Sequence, residues 1–82
     1  DNAVSKEAAK IKGIESPVAG DSDILVTPDI EAGNVLYKSI AYFVRAKMAA
    51  IIVGAKAPVI LTSRADTHEA KFLSIALATA TA

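Results

Sequence analysis

Ser63 and Arg64 are the residues whose types and position point most directly to chemistry. They follow Pro58–Thr62, an apolar run typical of a buried strand, and precede the capped start of a helix at Asp66. The free N–H groups and dipole of a helix N-terminus favour negative charge at such a junction. A guanidinium there adds a two-pronged phosphate donor. The pair therefore predicts an anion site, although on its own it is equally consistent with a solvated turn.

Asn34 and Lys38 form a second candidate pair. If the chain is helical from Ile30 onward, these residues lie four apart and share one helix face. An amide and an ammonium in that arrangement could contact the same anion. Taken alone, the two residues would also be ordinary surface residues.

The elements that must position these candidates follow a mixed pattern. We expect a first helix with Ser5 or Asn2 as its cap and Gly13 as its stop, and a loop up to Asp23. The remaining predicted elements, in chain order, are strand 24–26, helix 30 to about 44 capped by Asp29, strands 49–53 and 58–62, and a helix from Asp66. This pattern predicts an α/β fold, a three-layer α/β/α fragment whose short apolar strands are buried on both faces.

Two details of this prediction concern packing. The connector 54–57 is too short for a helical crossover, so the strands on either side should be antiparallel or lie at different positions in the sheet. Gly33 in the first turn of the second helix costs about 0.5 to 1 kcal/mol relative to alanine. Either something approaches it closely or the regular helix begins later, and we favour the later start. The residues of this helix expected to face the core, or to serve simply as packing, are Val35, Leu36, Tyr37, Ile40, Tyr42, Phe43 and Val44.

Composition restricts the classes of function. The chain has 82 residues, zero formal net charge, no cysteine and one histidine, His68, whose place in a first helical turn favours exposure over catalysis. Nucleic-acid and membrane-surface binding therefore lack electrostatic support, and disulfides, thiolate catalysis and a metal site lack ligands. The uncharged end Phe72–Ala82 is too short to span a bilayer, which needs about 20 residues, so it predicts a buried helix or a subunit interface. Three short strands make a poor sheet alone, which indicates a fragment or an obligate oligomer.

Four blocks of the sequence resemble the phosphate acetyl/butyryltransferase family in order and spacing, and they match its carboxy-terminal end. They are SPVAGDSDILV at 16–26, PDIEAGNVLYK at 28–38, GAKAP at 54–58 and SRAD at 63–66. The turn Gly54–Lys56 and the block Ser63–Asp66 are more similar to the butyryl branch than to the acetyl branch. The resemblance implies that residues 1–82 are one segment, the carboxy-terminal part of an acyltransferase catalytic domain. It also implies an isocitrate/isopropylmalate dehydrogenase-like fold.

The function that the resemblance implies is acyl transfer between coenzyme A and inorganic phosphate, in a cytoplasmic homodimer or larger homo-oligomer without bound cofactor or metal. Phosphate acetyltransferase is the alternative activity, and a purely structural fragment is the second alternative. A related metal-dependent decarboxylating dehydrogenase would need clustered aspartates, whereas the aspartates here fall in turns and caps. For the acyltransferase, the resemblance implies that Arg64 pairs with phosphate and that Ser63 donates to the oxyanion or thiolate. Asn34 and Lys38 would bind phosphate or coenzyme A.

One position departs from the family pattern. Six residues after the matching arginine, the acetyl branch carries an aspartate as candidate proton acceptor, and here that position is Ala70. Asp66 is the nearest substitute, followed by Glu69. Both are also explained as the cap and the capping-box partner of the last helix, so the identity of the general base stays open.

Overall fold

Helices supply nearly all the regular structure of the chain. The structure is a computed structural model that describes all 82 residues. Its elements are α1 (Lys6–Ile11), α2 (Ile30–Lys38), a π-helical segment (Ser39–Val44) that continues α2, and α3 (His68–Thr81). The chain forms two compact units, Asp1–Gly33 and Asn34–Ala82. No helix is both long enough and apolar enough to cross a membrane.

The predicted α/β fold is wrong for this structure. The segments expected to be strands contain no strand, and a single antiparallel bridge joins Ile52 to Val59, where the Ile52 N–H donates to the Val59 carbonyl at 2.8 Å. Apolar runs become strands only when neighbouring chain supplies ladder partners on their edges. Here the expected strand residues lie in solvent instead, with Val26 89%, Val53 82% and Leu61 69% exposed.

The Asp1–Gly33 unit is closed by its backbone. Of the two caps predicted for α1, Ser5 and Asn2, the structure uses Ser5, whose hydroxyl accepts from the Ala8 N–H at 3.1 Å. The following loop then returns to the start of α1, where the Gly20 N–H donates to the Asn2 carbonyl at 2.7 Å. Gly20 has φ +72°, and a Cβ there would overlap the backbone of Lys6. Only glycine satisfies both the dihedral and the close approach.

The second helix begins where the sequence predicted, and Asp29 caps it by accepting from the Ala32 N–H at 2.7 Å. The later start that we favoured because of Gly33 is wrong. The close-approach alternative fits instead, since a Cβ on Gly33 would lie 3.2 Å from the Thr27 hydroxyl oxygen. A bulkier residue would press on the loop that leads into α2.

The helix changes its winding at Ser39. The Ser39 hydroxyl donates to the Val35 carbonyl at 2.7 Å. A side chain thus bonds this carbonyl where the α-helix gives way to the π-helical segment. Arg45 ends the π-helical segment in the left-handed conformation, with φ +56°. The predicted inward packing of this stretch is wrong, because Val35 is 68%, Phe43 87% and Val44 70% exposed.

The last helix, α3, is capped by Thr67, whose hydroxyl accepts from the Ala70 N–H at 3.1 Å. The sequence-based assignment of Asp66 as cap is therefore wrong by one residue. Ser74 and Ala78 are the buried residues of α3, with Ser74 only 3% exposed. The predicted burial of the uncharged end is wrong for Phe72 and Ile75, which face solvent in this structure.

Candidate functional site

Four of the five predicted site residues line one cavity in the Asn34–Ala82 unit. The cavity has a volume of about 380 Å³. Asn34 and Lys38 reach it from α2, and Ser63 and Asp66 reach it from the turn before α3. Arg64 is exposed and is not among the lining residues. The fold thus brings Ser63 to the pair Asn34 and Lys38, which lies roughly 30 residues earlier in the sequence, but it leaves Arg64 outside the cavity wall.

The turn that carries Ser63 is tightly hydrogen bonded. The Ser63 N–H donates to Asp66 Oδ2 at 2.6 Å, and the Asp66 N–H donates to the Ser63 carbonyl at 3.1 Å. The Ala65 N–H donates to the Ser63 hydroxyl oxygen at 3.3 Å. Because that hydroxyl accepts within the turn, its own proton remains free to be donated to an anion in the cavity.

Tyr37 fixes the same turn from the side of α2. Its phenol hydroxyl donates to Asp66 Oδ1 at 2.9 Å. Burial raises the pKa of the Tyr37 phenol, and the hydrogen bond and negative charge of Asp66 raise it further. The phenol therefore stays protonated and donating at neutral pH. The sequence suggested only packing for Tyr37, because nothing local links residues separated by 29 positions.

Asp66 has both carboxylate oxygens engaged, one with the Tyr37 hydroxyl and the other with the Ser63 N–H. Carboxylate oxygens can each accept a further hydrogen bond, so proton acceptance by Asp66 stays a prediction. What the geometry adds is a structural function. Asp66 connects the turn of Ser63 to the helix that carries Asn34 and Lys38.

Lys38 is the only predicted cation on the cavity wall. Its ammonium nitrogen lies 5.7 Å from the centroid of the Tyr37 ring, within range of a cation–π contact. Such a contact restricts the side chain without neutralising it. Lys38 can therefore attract a phosphate or the phosphates of a larger substrate into the cavity.

Ser74 is a residue of this site that sequence reasoning missed. Its hydroxyl donates to the Ala70 carbonyl at 2.8 Å and accepts from the Ala50 N–H at 3.1 Å. This buried bridge holds the segment around Ala50 against α3, where both line the cavity. The only sequence signal was a serine between apolar residues of the helix, and a bond to a carbonyl of the same helix would explain that serine equally well.

A second cavity of about 380 Å³ shares Tyr37, Met48, Asp66 and Ala70 with the first. Arg45 also lines it, as do Lys47 and Glu69, which form an exposed ion pair at 3.0 Å. Ala70, which replaces the expected aspartate, is thus a wall residue of both cavities. No group of three or more histidine, cysteine, aspartate or glutamate side chains is arranged to hold a metal ion.

Comparison with known proteins identifies the class. The family model for phosphate acetyl/butaryl transferase matches residues 1–79. The chain therefore belongs to the phosphate acetyl/butyryltransferase family, as its four sequence blocks predicted.

The individual relatives divide between two activities. The chain is 64% identical over 77 residues to the phosphate acetyltransferase of Thermotoga maritima, covering 94% of this chain and 26% of that protein. It is 63% identical over 78 residues to a probable phosphate butyryltransferase of Bacillus subtilis, covering 95% of this chain and 26% of that protein. The chain thus spans about a quarter of the length of these curated relatives.

A solved structure shares the arrangement. The branched-chain phosphotransacylase of Enterococcus faecalis V583 superimposes with a TM-score of 0.84 at 51% sequence identity, covering 96% of this chain and 30% of that one. The described structure is therefore similar to a segment of a phosphotransacylase, although the predicted sheet is absent from it.

Proposed function

We propose that this chain is the carboxy-terminal segment of a phosphate acyltransferase that moves a butyryl or similarly short acyl group between coenzyme A and inorganic phosphate. One observation carries the proposal: Asn34, Lys38 and Ser63, predicted separately as anion-binding residues, line a single cavity. Family membership supplies the reaction class. Acetyl transfer is the alternative, since relatives with both names match this chain about equally well.

The reaction assigns a role to each candidate. A phosphate oxygen attacks the thioester carbonyl, the new C–O bond forms, the C–S bond breaks, and coenzyme A leaves as a thiolate that takes up a proton. Lys38 and Asn34 hold the phosphate or the coenzyme, and Arg64, which lies outside the cavity wall in this structure, turns toward the phosphate to pair with it. Ser63 donates its hydroxyl proton as a hydrogen bond to the oxyanion or the thiolate. Coenzyme A and phosphate are substrates, and no bound cofactor takes part.

A chimera tests this proposal. In the Thermotoga maritima phosphate acetyltransferase, this chain replaces the 77 aligned residues, and phosphate-dependent release of coenzyme A is measured. We expect turnover in the chimera, and a loss of about a hundredfold when Arg64→Ala or Ser63→Ala removes positioning or an oxyanion donor. Lys10→Ala, which removes an exposed charge on α1, is the matched control and should leave turnover unchanged.

The outcomes separate the candidate functions. A chimera that is folded by circular dichroism and gel filtration but inactive would favour a purely structural segment. Near-normal turnover in both variants would refute the assigned residues. A kcat/KM ratio for butyryl-CoA over acetyl-CoA above that of the parent enzyme would support the butyryl assignment. An unchanged ratio would contradict it for this segment.

The proposal extends to assembly and location. We propose a cytoplasmic homodimer or larger homo-oligomer that binds neither nucleic acid nor membranes. The support is the zero net charge and the absence of cysteine, together with apolar Phe72 and Ile75 on the surface of α3. Light scattering on the purified protein tests the assembly, and a monomeric mass at micromolar concentration would contradict it.

A further inference from the structure

The contact between Tyr37 and Asp66 is the longest-range side-chain pair among the hydrogen bonds of the cavity wall. One carboxylate oxygen of Asp66 accepts from the Tyr37 hydroxyl at 2.9 Å, and the other accepts from the Ser63 N–H at 2.6 Å. A single carboxylate thus joins α2 to the residue predicted to donate to the reacting group. Neither bond is needed to cap α3, because Thr67 does that.

We propose that Tyr37 is a positioning residue for acyl transfer, because its hydroxyl holds Asp66 and Asp66 in turn holds the Ser63–Arg64 turn at the cavity. This inference rests on the proposed function. It assigns Tyr37 no contact with substrate atoms, since the phenol proton is already committed to Asp66. We call the Tyr37–Asp66–Ser63 chain of hydrogen bonds the tyrosine latch.

Two features of the structure give the latch its effect on the turn. The hydrogen bonds within the Ser63–Asp66 turn fix its own shape but not its position against α2, since Ser63 is only partly buried and Arg64 and Ala65 are exposed. A carboxylate that accepts from two donors on different elements restrains it strongly, because hydrogen bonds to a charged acceptor are short and stable. Tyr37 also lies on the helix that carries Asn34 and Lys38. The latch therefore sets the distance between the two halves of the predicted anion site.

Two measurements on the chain itself, tyrosine titration and amide hydrogen exchange, test the latch without an assay of catalytic activity. In a Tyr42→Phe background, Tyr37 is the only tyrosine, and tyrosinate absorbance follows its titration. Asp66→Asn should lower the titration midpoint, because it removes the negative charge and weakens the acceptor. Glu69→Gln removes the same charge from a carboxylate not bonded to Tyr37 and should leave the midpoint unmoved. A midpoint equal in all three proteins would overturn the latch.

Amide hydrogen exchange tests the positioning directly. Tyr37→Phe keeps the ring and removes only the hydroxyl, so we expect about tenfold faster exchange at the Ser63 amide, equivalent to the loss of a single hydrogen bond. The amides in the middle of α3 should exchange at the original rate. Uniformly faster exchange across the unit would mean that Tyr37 serves general stability, which would contradict a positioning role.

Kinetics in the chimera complete the test. Tyr37→Phe should lower kcat about tenfold while changing the KM for phosphate less than twofold, because a misplaced donor affects the transition state more than binding. Tyr42→Phe, on the neighbouring segment, should behave like the parent. If Tyr37 acts through the Ser63–Arg64 turn, the loss in the Tyr37→Phe, Ser63→Ala double variant should be smaller than the product of the two single losses, because Ser63→Ala has already removed one of the groups that the latch positions.

These kinetics distinguish failure of the latch from failure of the proposed function. Full turnover in Tyr37→Phe together with a large loss in Ser63→Ala would overturn the positioning role and leave the acyltransferase proposal standing. Full turnover in both variants would overturn the two together. Multiplicative losses in the double variant would mean that Tyr37 acts independently of Ser63, which also contradicts the inference.

Discussion

The two compact units of the chain are closed by different kinds of contact. In Asp1–Gly33, the long-range hydrogen bonds join backbone groups, as when the Gly20 N–H donates to the Asn2 carbonyl. The ion pairs Lys6–Asp21 and Lys12–Asp1 in this unit are exposed, and exposed pairs contribute little to stability. In Asn34–Ala82, side chains make the long-range bonds, from Tyr37 to Asp66 and from Ala50 to Ser74. Backbone closure depends on residue identity only where the dihedral or a close approach requires it, as at Gly20, whereas side-chain closure depends on the identity of each bonded residue. Both cavities described above are lined by the unit that uses side chains.

This difference predicts where substitutions act. In the first unit, a residue matters mainly when the backbone requires it, and most side chains should be replaceable at little cost. In the second unit, single polar atoms hold segments more than 20 residues apart, so their removal should loosen a cavity wall. The following four predictions test the contrast, beginning with the largest expected effect.

Gly20→Ala should be the most destabilising change. Its Cβ would overlap the Lys6 backbone and would force a left-handed conformation on alanine. Overpacking and the left-handed dihedral together should cost about 3 kcal/mol or more. Hydrogen exchange by mass spectrometry should show faster exchange in α1 and unchanged exchange in α3.

Gly13→Ala is the matched control for that change. Gly13 has φ +64°, similar to Gly20, but a Cβ there would meet nothing within 4 Å. Its cost should be limited to the dihedral, about 1 to 2 kcal/mol. Equal losses in the two variants would mean that close approach does not close the first unit.

Ser74→Ala should be the next most damaging substitution. It leaves the Ala50 N–H without its acceptor, which should lower the free energy of unfolding by about 1 to 3 kcal/mol. Thr79→Ala removes a hydroxyl that bonds only to a helix carbonyl in α3, and it should change stability by less than about 0.5 kcal/mol. Urea denaturation measures both, and a Ser74 variant no weaker than the Thr79 variant would contradict the side-chain closure of the second unit.

Arg45→Gly should stabilise the second unit slightly. The left-handed conformation of Arg45 costs about 1 to 2 kcal/mol, and glycine removes this cost. The greater conformational freedom of glycine in the unfolded chain cancels about 0.5 to 1 kcal/mol of that gain. A net gain of about 0.5 kcal/mol is expected in thermal or urea unfolding. A loss of stability would mean that the Arg45 side chain makes a contribution larger than the strain.

Alkaline pH should have the smallest effect, because it changes nothing at neutral pH. Folding raises the pKa of Tyr37, so the folded chain binds this proton more tightly than the unfolded chain. The resulting stability is fully present below the unfolded value of about 10 and declines as pH rises through the higher folded pKa. Tyr37→Phe should lack this part of the decline, while Tyr42→Phe should keep it. Identical curves for all three proteins would show that the latch is not coupled to ionisation.

The helices were largely predictable because their determinants are local. Ser5, Asp29 and Gly13 mark helix ends through bonds or dihedrals within a few residues, and each lies where the pattern placed it. Family membership was also predictable, because four blocks occur in a fixed order. The π-helical winding of Ser39–Val44 was not predicted, since the sequence pattern there is the same as that of an ordinary α-helix.

The sequence by itself determined the starts of α1 and α2, the cap of α3 to within one residue, the family and the list of candidate anion-binding residues. Only the tertiary structure decided that none of the apolar runs becomes a strand, because a ladder requires neighbouring chain that no local pattern records. The tertiary structure also decided that Asn34, Lys38 and Ser63 line one cavity and that Arg64 lies outside it. Tyr37 and Ser74 acquire their roles for the same reason: each bonds to a residue more than 20 positions away, at a distance only the folded chain sets.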